Sequence, residues 1–377
     1  STPSNSSAAS DVYKRQFLMC GIAGWIDCRR LCDSAAIMRR MAQTMVPRGP
    51  DNGGFYTDDN CALAHRRLSV IDPARSAQPM TRKTALDSYT IVYNGELYNT
   101  AEIRSELEST GISFTSSGDT EVLLWAYITW GEACLDKLNG IYAFAVWQEK
   151  EKQLFLARDR IGVKPLFYYE YAGGLIFASE IKTLLAHPMI EPVIDRDGIA
   201  QIMLLGPARK PGSGIFKGIR ELRPAECAMY CRCGLRKRTY WSLHALPHKE
   251  TAEETEQHIA YLLTDAIKRQ LVSDVPLCTM LSGGLDSSII SAVAAKEFEQ
   301  NGRQLTTYSI DYKDNDKNFH SSKFQPDMDA PWIRKMSAFI GSKHINVEVD
   351  TPALTDALEL STYARDLPGM ADVDSSL

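Results

Sequence analysis

The sequence predicts an α+β domain followed by an α/β domain with a doubly wound parallel sheet. The first half of the chain is rich in apolar strand patterns, which favours antiparallel sheets covered by helices. From about Thr251 onward, predicted strands alternate with predicted helices, an order that is typical of a parallel sheet. A length of 377 residues is enough for two such domains.

Two periodicities locate the elements of the first domain. Apolar runs and alternation predict strands at residues 20–27, 62–71, 89–93, 140–147, 153–158, 166–171 and 175–178. Helical periodicity predicts helices at residues 34–45, 100–108, 119–130, 181–186 and 196–204. A turn-rich loop at residues 206–214 precedes two short strands, 226–231 and 238–241, that close the domain.

The second domain is predicted to begin with a long helix. Strands are expected at residues 277–281, 305–311 and 344–349, each followed by a helical pattern. The helices are expected at residues 252–271, 286–300, 330–340 and 352–365.

Composition excludes several classes of protein. With 42 Lys and Arg against 47 Asp and Glu, the net charge of −5 argues against a nucleic-acid partner. No apolar run approaches the ~20 residues needed to cross a bilayer, so we expect no membrane partner. Nine cysteines, an odd number in a chain with a normal hydrophobic content, favour reduced thiols and a cytoplasmic location.

The two ends of the sequence differ from the rest. Residues 1–18 are rich in Ser and Ala without a hydrophobic period. We therefore expect residues 1–19 to be a disordered or non-native extension that ends with an initiator methionine, Met19; a genuine flexible tail is the alternative. The first domain then covers residues 20–245. The second covers residues 246–377 and is expected to be incomplete, because the sequence stops just after a predicted loop.

A glycine-rich octet at residues 281–288, Leu-Ser-Gly-Gly-Leu-Asp-Ser-Ser, lies between a predicted strand and a predicted helix. Glycines let the backbone approach an anion closely, and the helix N-terminus supplies free N–H groups. Serine hydroxyls can donate to phosphate oxygens, and Asp286 could hold Mg²⁺. The octet is neither a Walker A loop nor a G-x-G-x-x-G loop, but it resembles the PP-loop of ATP pyrophosphatases. A capped helix after a glycine turn is the structural alternative.

Cys20 would become the first residue of the chain if Met19 were removed. An N-terminal cysteine combines a nucleophile with its own base, because an α-amine with a pKa near ~7.7–8.0 can accept the thiol proton. A lone cysteine is otherwise a small buried hydrophobe.

Further motifs accompany Cys20 in a fixed order. They are Met-Cys-Gly-Ile-Ala-Gly at 19–24, Arg-Gly-Pro-Asp at 48–51, His-Arg-Arg-Leu-Ser-Val-Ile-Asp at 65–72, Tyr-Asn-Gly-Glu-Leu-Tyr-Asn at 93–99, Ser-Gly-Asp-Thr-Glu at 117–121, Ala-Arg-Asp-Arg-Ile-Gly-Val-Lys-Pro-Leu at 157–166 and Ala-Ser-Glu-Ile-Lys at 178–182. Together they resemble the class II glutamine amidotransferase domain, an N-terminal-nucleophile fold with an αββα sandwich. Followed by the glycine-rich octet, they resemble the glutamine-hydrolysing asparagine synthetase family from Met19 to Leu377.

The resemblance implies a role for each motif. Cys20 would be the nucleophile, and Asn94 with the N–H of Gly95 would stabilise the oxyanion, a contribution of about 3 kcal/mol per donor. Arg67 would grip the α-carboxylate of glutamine. The remaining implied glutamine-site residues are Asp119 for the α-ammonium, Glu96 for orienting that end and Arg48 for ordering the site. For Arg67 and Asp119, the alternative is a solvated surface charge.

In the second domain, the resemblance implies that ATP and Mg²⁺ activate aspartate as β-aspartyl-AMP, which ammonia from glutamine converts to asparagine. Mg²⁺ would be held by Asp286 through pyrophosphate. The implied ATP-binding residues are Leu281, Ser282, Gly283, Gly284, Asp286, Ser287, Ser288 and Ile310. For Leu281 and Ile310, core packing is the alternative. The family also suggests a homodimer.

Two departures from the family pattern matter. As written, Cys20 is internal, so its amine is in a peptide bond and cannot act as a base. A later Ser-Gly-Glu, Asp-Glu and Gly-Gly-Tyr segment of the family is not found, so we expect this chain not to make asparagine efficiently.

Other functions remain open from the sequence. A related amidotransferase could amidate another carboxylate acceptor, and an inactive fragment could bind glutamine or ATP without turnover. Cys227, Cys231 and Cys233 have no fourth ligand at finger-like spacing, so strand alternation explains their spacing better than zinc does, and the same holds for Cys28 and Cys32.

Overall fold

A computed structural model of the protein describes residues 19–29, 33–72, 75–206, 208–323 and 326–367. The predicted N-terminal extension, except Met19, and Cys32 lie outside the described residues. The described chain divides into two compact units: residues up to 244 together with 362–367, and residues 245–361.

Two six-stranded antiparallel sheets form the centre of the first unit. One has the strand order β10-β8-β9-β1-β3-β2 and the other the order β12-β11-β7-β6-β5-β4. The strands are β1 (Gly21–Asp27), β2 (Asn52–Thr57), β3 (Cys61–Arg67), β4 (Met80–Lys83), β5 (Ser88–Leu97), β6 (Gly140–Gln148), β7 (Gln153–Arg158), β8 (Phe167–Tyr171), β9 (Gly174–Ala178), β10 (Ile219–Glu221), β11 (Glu226–Cys231) and β12 (Gly234–Thr239).

Helices cover the outer face of each sheet. The helices of this unit are α1 (Ser34–Thr44), α2 (Thr100–Ser109), α3 (Asp119–Trp130), α4 (Cys134–Lys137), α5 (Ile181–Leu185) and α6 (Arg196–Leu205), with a 3₁₀ turn at Gly131–Ala133. Apolar residues such as Ile22 and Trp147 pack between the two sheets. Met38 of α1 packs on the first sheet, and Leu123 of α3 packs on the second. This helix–sheet–sheet–helix layering confirms the predicted αββα sandwich.

The bounds of several elements differ from the sequence predictions. The short strands β2, β4 and β10 were not predicted, and the last hairpin strand is residues 234–239 rather than 238–241. In that hairpin, Cys231 pairs with Gly234 across a two-residue turn, which fixes the register. β3 ends at Arg67 rather than Ile71, because the chain then turns back toward the Arg67 side chain.

The second unit is a smaller α/β arrangement with a three-stranded parallel sheet, in the order β13-β14-β15. Its strands are β13 (Cys278–Met280), β14 (Thr306–Tyr312) and β15 (Lys343–Val349). Its helices are α7 (Ala252–Arg269), α8 (Leu285–Gln300), α9 (Asn315–Asn318) and α10 (Asp329–Ile340), and α11 (Thr351–Arg365) begins in it. A small core of Ala294, Phe298 and Leu305 supports the sheet. The predicted parallel α/β class is confirmed.

The described residues contain neither a membrane-spanning helix nor a metal-binding cluster. None of the helices there combines the length and apolar character of a membrane span. No cluster of three or more His, Cys, Asp or Glu residues in the same part of the chain is arranged to hold a metal ion.

Candidate active site

A cavity of about 100 Å³ in the first unit collects most of the predicted amidotransferase residues. Cys20, the residue that precedes β1, lines this cavity. Its Sγ lies 3.6 Å from the carbonyl oxygen of Leu68. Burial raises the pKa of the Cys20 thiol, while the positive charges of Arg67 and Lys164 act in the opposite direction. The thiol therefore needs help to ionise.

The backbone at Cys20 is held by Arg48. The Arg48 Nε donates to the carbonyl oxygen of Cys20 at 2.8 Å, and the Arg48 carbonyl accepts from the backbone N–H of Met19 at 2.8 Å. A largely buried ion pair with Glu180, 3.4 Å long, fixes the guanidinium. Arg48 does not line the cavity, and its contribution is to hold the backbone of Cys20 in place.

Asn94 and Gly95 bring hydrogen-bond donors to the cavity wall. Both lie in β5, where Asn94 pairs with Ala143 and Gly95 with Tyr142. The Asn94 side chain is 1% exposed, and its Nδ2 has no hydrogen-bond partner. Because burying an unpaired amide is costly, an unpaired amide at a cavity wall indicates a donor that is kept for a ligand.

Only glycine fits at position 95. A Cβ there would lie 2.3 Å from the carbonyl oxygen of Ile141 and 2.7 Å from the Cα of Tyr142. The close approach of these two strands therefore places the backbone of Gly95 at the cavity beside the amide of Asn94.

Arg67, the last residue of β3, also lines the cavity. Its Nη2 donates to the carbonyl oxygens of Ile71 and Asp72 at 2.9 and 2.8 Å, so the segment after β3 bends around the guanidinium. Arg67 is 6% exposed and lines the cavity together with Leu68 and Ile71. A fixed, buried guanidinium is suited to binding a carboxylate through two hydrogen bonds.

Asp119, the first residue of α3, places a carboxylate at the same cavity. Its Oδ2 accepts from the Tyr93 hydroxyl at 2.9 Å and from the backbone N–H of Leu97 at 3.2 Å. Burial raises the pKa of the Asp119 carboxyl, and these two donors counteract that effect. The half-buried Glu96 also lines the cavity and contributes a second negative charge.

Gln78 links the strand that carries Asn94 to the helix that carries Asp119. Its Oε1 accepts from the backbone N–H of Tyr93 at 2.6 Å, and its Nε2 donates to Thr120 Oγ1 at 3.2 Å. Gln78, Tyr93 and Lys164 all line the cavity, but sequence reasoning assigned no role to them. Lys164 lay within one of the recognised motifs, whereas no sequence signal pointed to Gln78.

In the second unit, the glycine-rich octet forms the turn between β13 and α8. Leu281 is buried, and its N–H donates to the carbonyl oxygen of Tyr308 at 2.7 Å. Gly283 has a φ of 79°, which favours glycine, and Gly284 is the N-cap of α8 without a side-chain cap. The first-turn N–H groups of α8 therefore have no side-chain acceptor from the cap residue.

The serines of this turn are arranged around Ser287. Its Oγ donates to the carbonyl oxygen of Gly284 at 3.1 Å and accepts from the N–H of Ser282 at 3.2 Å. Asp286 is exposed in the first turn of α8, and Ser288 is half-buried one residue after Ser287. Ile310 is half-buried in β14, two residues beyond Tyr308, which pairs with Met280. The structure thus places most of the predicted ATP-binding residues in one turn.

Comparison with known proteins adds family information to this geometry. A family model for the glutamine amidotransferase domain matches residues 19–241, and a model for asparagine synthase matches residues 258–377. Glutamine-hydrolysing asparagine synthetase 3 of Bacillus subtilis is 50% identical over 361 residues, which cover 95% of this chain and 59% of that protein. Asparagine synthetase 1 of the same organism is 34% identical, over 78% of this chain and 46% of that protein.

Two further similarities were found. Asparagine synthetase B of Escherichia coli is 32% identical, over 74% of this chain and 45% of that protein. Among solved structures, a glutamine phosphoribosylpyrophosphate amidotransferase of B. subtilis gives a TM-score of 0.45 at 16% identity, over 78% of this chain and 75% of that chain. The chain therefore spans about half the length of the curated relatives described here. It belongs to the glutamine amidotransferase family, and its C-terminal part matches asparagine synthase.

Proposed function

We propose that the protein hydrolyses glutamine at Cys20 and supplies the ammonia to an ATP-dependent synthesis of asparagine from aspartate. The other products are glutamate, AMP and pyrophosphate. The observation that carries the proposal is the cavity that joins the Cys20 thiol to the unpaired amide of Asn94. The similarity to asparagine synthetases supports the choice of acceptor.

The first half-reaction requires a chain that begins at Cys20, without residues 1–19, so that Cys20 carries a free α-amine. That amine accepts the thiol proton, and Sγ attacks the side-chain carbonyl carbon of glutamine. Asn94 Nδ2 and the Gly95 N–H stabilise the oxyanion. The carbon–nitrogen bond then breaks, the α-ammonium returns its proton to the leaving ammonia, and water hydrolyses the thioester to glutamate.

Opposite charges that line the cavity bind the amino-acid end of glutamine. Arg67 pairs with the α-carboxylate, while Asp119 and Glu96 face the α-ammonium. The hydroxyl of Tyr93 keeps the Asp119 carboxylate oriented. Binding both charges fixes the side-chain amide near Cys20, which lowers the entropic part of the barrier.

The turn between β13 and α8 has a donor set that suits the phosphates of ATP. Ser282, Gly284 and Asp286 are exposed. A Cβ at Gly284 would meet only Ser282 Oγ, at 3.5 Å, so there is room for a ligand beside this glycine. The first-turn N–H groups of α8 and the serine hydroxyls are donors, as a pyrophosphate requires. Mg²⁺ commonly uses one or two carboxylates plus substrate phosphates, so Asp286 fits this ion as a single protein ligand.

Glutamate release tests the first half-reaction. The chain that begins at Cys20 should release glutamate from glutamine, whereas the chain as written should not. Cys20→Ala should abolish release, and Cys28→Ala, at an exposed free cysteine, is the matched control that should retain it. Release that survives Cys20→Ala would contradict the mechanism.

Nucleotide binding tests the second half. Titration calorimetry with ATP and Mg²⁺ should show saturable binding, which Asp286→Asn weakens and which Asp356→Asn, at an exposed carboxylate of α11, leaves unchanged. Because the chain spans about half the length of its curated relatives, we expect AMP formation to be inefficient, and even slow aspartate-dependent formation of AMP would support asparagine synthesis. AMP formation that depends on a different carboxylic acid would show that this acid, rather than aspartate, is the acceptor.

A further inference from the structure

Lys164 is a buried lysine at the wall of the active-site cavity, and no acidic residue among those that the structure describes pairs with it. Its residue is 6% exposed, and Nζ lies 3.0 Å from the sulfur of Met19. Within the described part of the chain, no carboxylate oxygen forms an ion pair with Nζ. A thioether is only a weak acceptor, and burying an unpaired charge is costly, so packing alone does not account for a lysine here.

The backbone that carries Lys164 is held rigidly by Asp159. The Asp159 side chain is fully buried and accepts from the N–H groups of Ile161, Val163 and Lys164 at 3.2, 2.9 and 2.9 Å. It also accepts from the N–H of Tyr142 in β6 at 3.3 Å. The loop after β7 is therefore fixed, and Lys164 in this loop lines the same cavity as Cys20.

The charged groups around Lys164 come from several elements. Burial and the charge of Arg48 lower the pKa of Lys164, whereas Glu96, Cys20 and Asp159 raise it. Lys164 in turn favours ionisation of the Cys20 thiol. Removal of Met19 would take away the sulfur against Nζ and create an α-amine on Cys20, the residue next to the one that Nζ now contacts.

We infer that Lys164 is a positioning residue for glutamine hydrolysis, whose fixed positive charge holds the α-amine of Cys20 in its neutral, proton-accepting form. This inference rests on the proposed function. Two neighbouring ammonium groups repel each other, so the charge of Lys164 lowers the pKa of the Cys20 α-amine. The amine can then remain neutral, and act as a base, at lower pH. The same charge stabilises the thiolate after the proton has left.

The test compares the chain that begins at Cys20 with its Lys164→Met and Lys164→Arg variants. Methionine keeps the unbranched apolar stem of the side chain without its charge, and arginine keeps the charge. Lys137→Met is the matched control, because Lys137 is exposed and pairs with Glu106 away from the cavity. The pH profile of kcat/KM for glutamine and the pH-dependent rate of Cys20 alkylation by iodoacetamide are measured for each, with thermal unfolding to check that each folds.

The inference predicts that Lys164→Met moves the acid limb of the kcat/KM profile to higher pH by about one unit, the size of one such charge interaction. Alkylation at neutral pH slows several-fold in the same variant, and Lys164→Arg restores much of both effects. Unchanged profiles in Lys164→Met, with or without a loss of thermal stability, would overturn the inference.

The alkylation assay separates this inference from the proposed function. If the unsubstituted chain releases no glutamate, the proposed function fails, but the alkylation profiles still show whether Lys164 acts on Cys20. If that chain releases glutamate and Lys164→Met behaves identically in both assays, the function stands and the role of Lys164 is rejected.

Discussion

Asn94→Ala separates the proposed catalytic role of Asn94 from a structural role. The Asn94 amide is buried and its Nδ2 is unpaired, so the folded protein carries a desolvation cost of about 1–3 kcal/mol that truncation removes. That gain offsets the lost side-chain packing, and we expect the free energy of unfolding in urea to change by less than about 1 kcal/mol. Loss of an oxyanion donor should lower kcat for glutamine hydrolysis about 10²–10³-fold.

Asn60→Ala is the matched control for this prediction. The Asn60 amide donates to the carbonyl oxygens of Asp27 and Arg29 at 3.0 and 3.3 Å, and it lies outside the cavity. Its loss should lower stability by about 1–3 kcal/mol, from two hydrogen bonds, and leave kcat unchanged. The reasoning would be refuted if Asn94→Ala kept kcat within about threefold, because oxyanion donors contribute far more than that.

Three further predictions follow from the same geometry. Tyr93→Phe removes one of the two donors to Asp119, so the KM for glutamine should rise about tenfold with a smaller change in kcat, as steady-state kinetics would show. Gly95→Ala places a Cβ 2.3 Å from the Ile141 carbonyl, and denaturant unfolding should show a loss of about 1–3 kcal/mol or more. The pKa of Glu121 is lowered to about 2, with the hydroxyl of Ser116 as the leading stabilising donor and burial opposing it. Because the folded-state pKa of Glu121 is depressed, the ionised carboxylate stabilises the folded protein fully above about pH 4.5, and this stabilisation is lost as the pH falls through about 2. Acid unfolding of Glu121→Gln should lack this pH-dependent loss of stability.

Much of the fold could be predicted because its strands carry strong local patterns. Residues 21–27, for example, form a fully buried strand, as their apolar run predicted. β2 was not predicted because Gly53 and Gly54 are typical of loops. Gly54 is required there because a Cβ would lie 2.1 Å from the carbonyl oxygen of Gln78, which is distant in sequence. Such a tertiary constraint leaves no periodic signal in the sequence.

The predicted amidotransferase residues were recognised as motifs, but their arrangement needed the structure. Cys20, Arg67, Asn94 and Asp119 come from different elements and meet at one cavity. The unpaired amide of Asn94 is a property of burial, and no sequence pattern could reveal it. The contact between Lys164 and Met19 joins residues 145 positions apart, so it too depended on the folded chain.

The most direct test of the account is to trap the covalent intermediate. The chain that begins at Cys20 would be mixed with radiolabelled glutamine, quenched in acid within a single turnover and digested for peptide mapping. We expect a γ-glutamyl thioester on the peptide that begins with Cys20, no label in Cys20→Ala, and normal labelling in Cys28→Ala. Glutamate release without label on that peptide, or label that persists in Cys20→Ala, would contradict the central claim that Cys20 is the nucleophile.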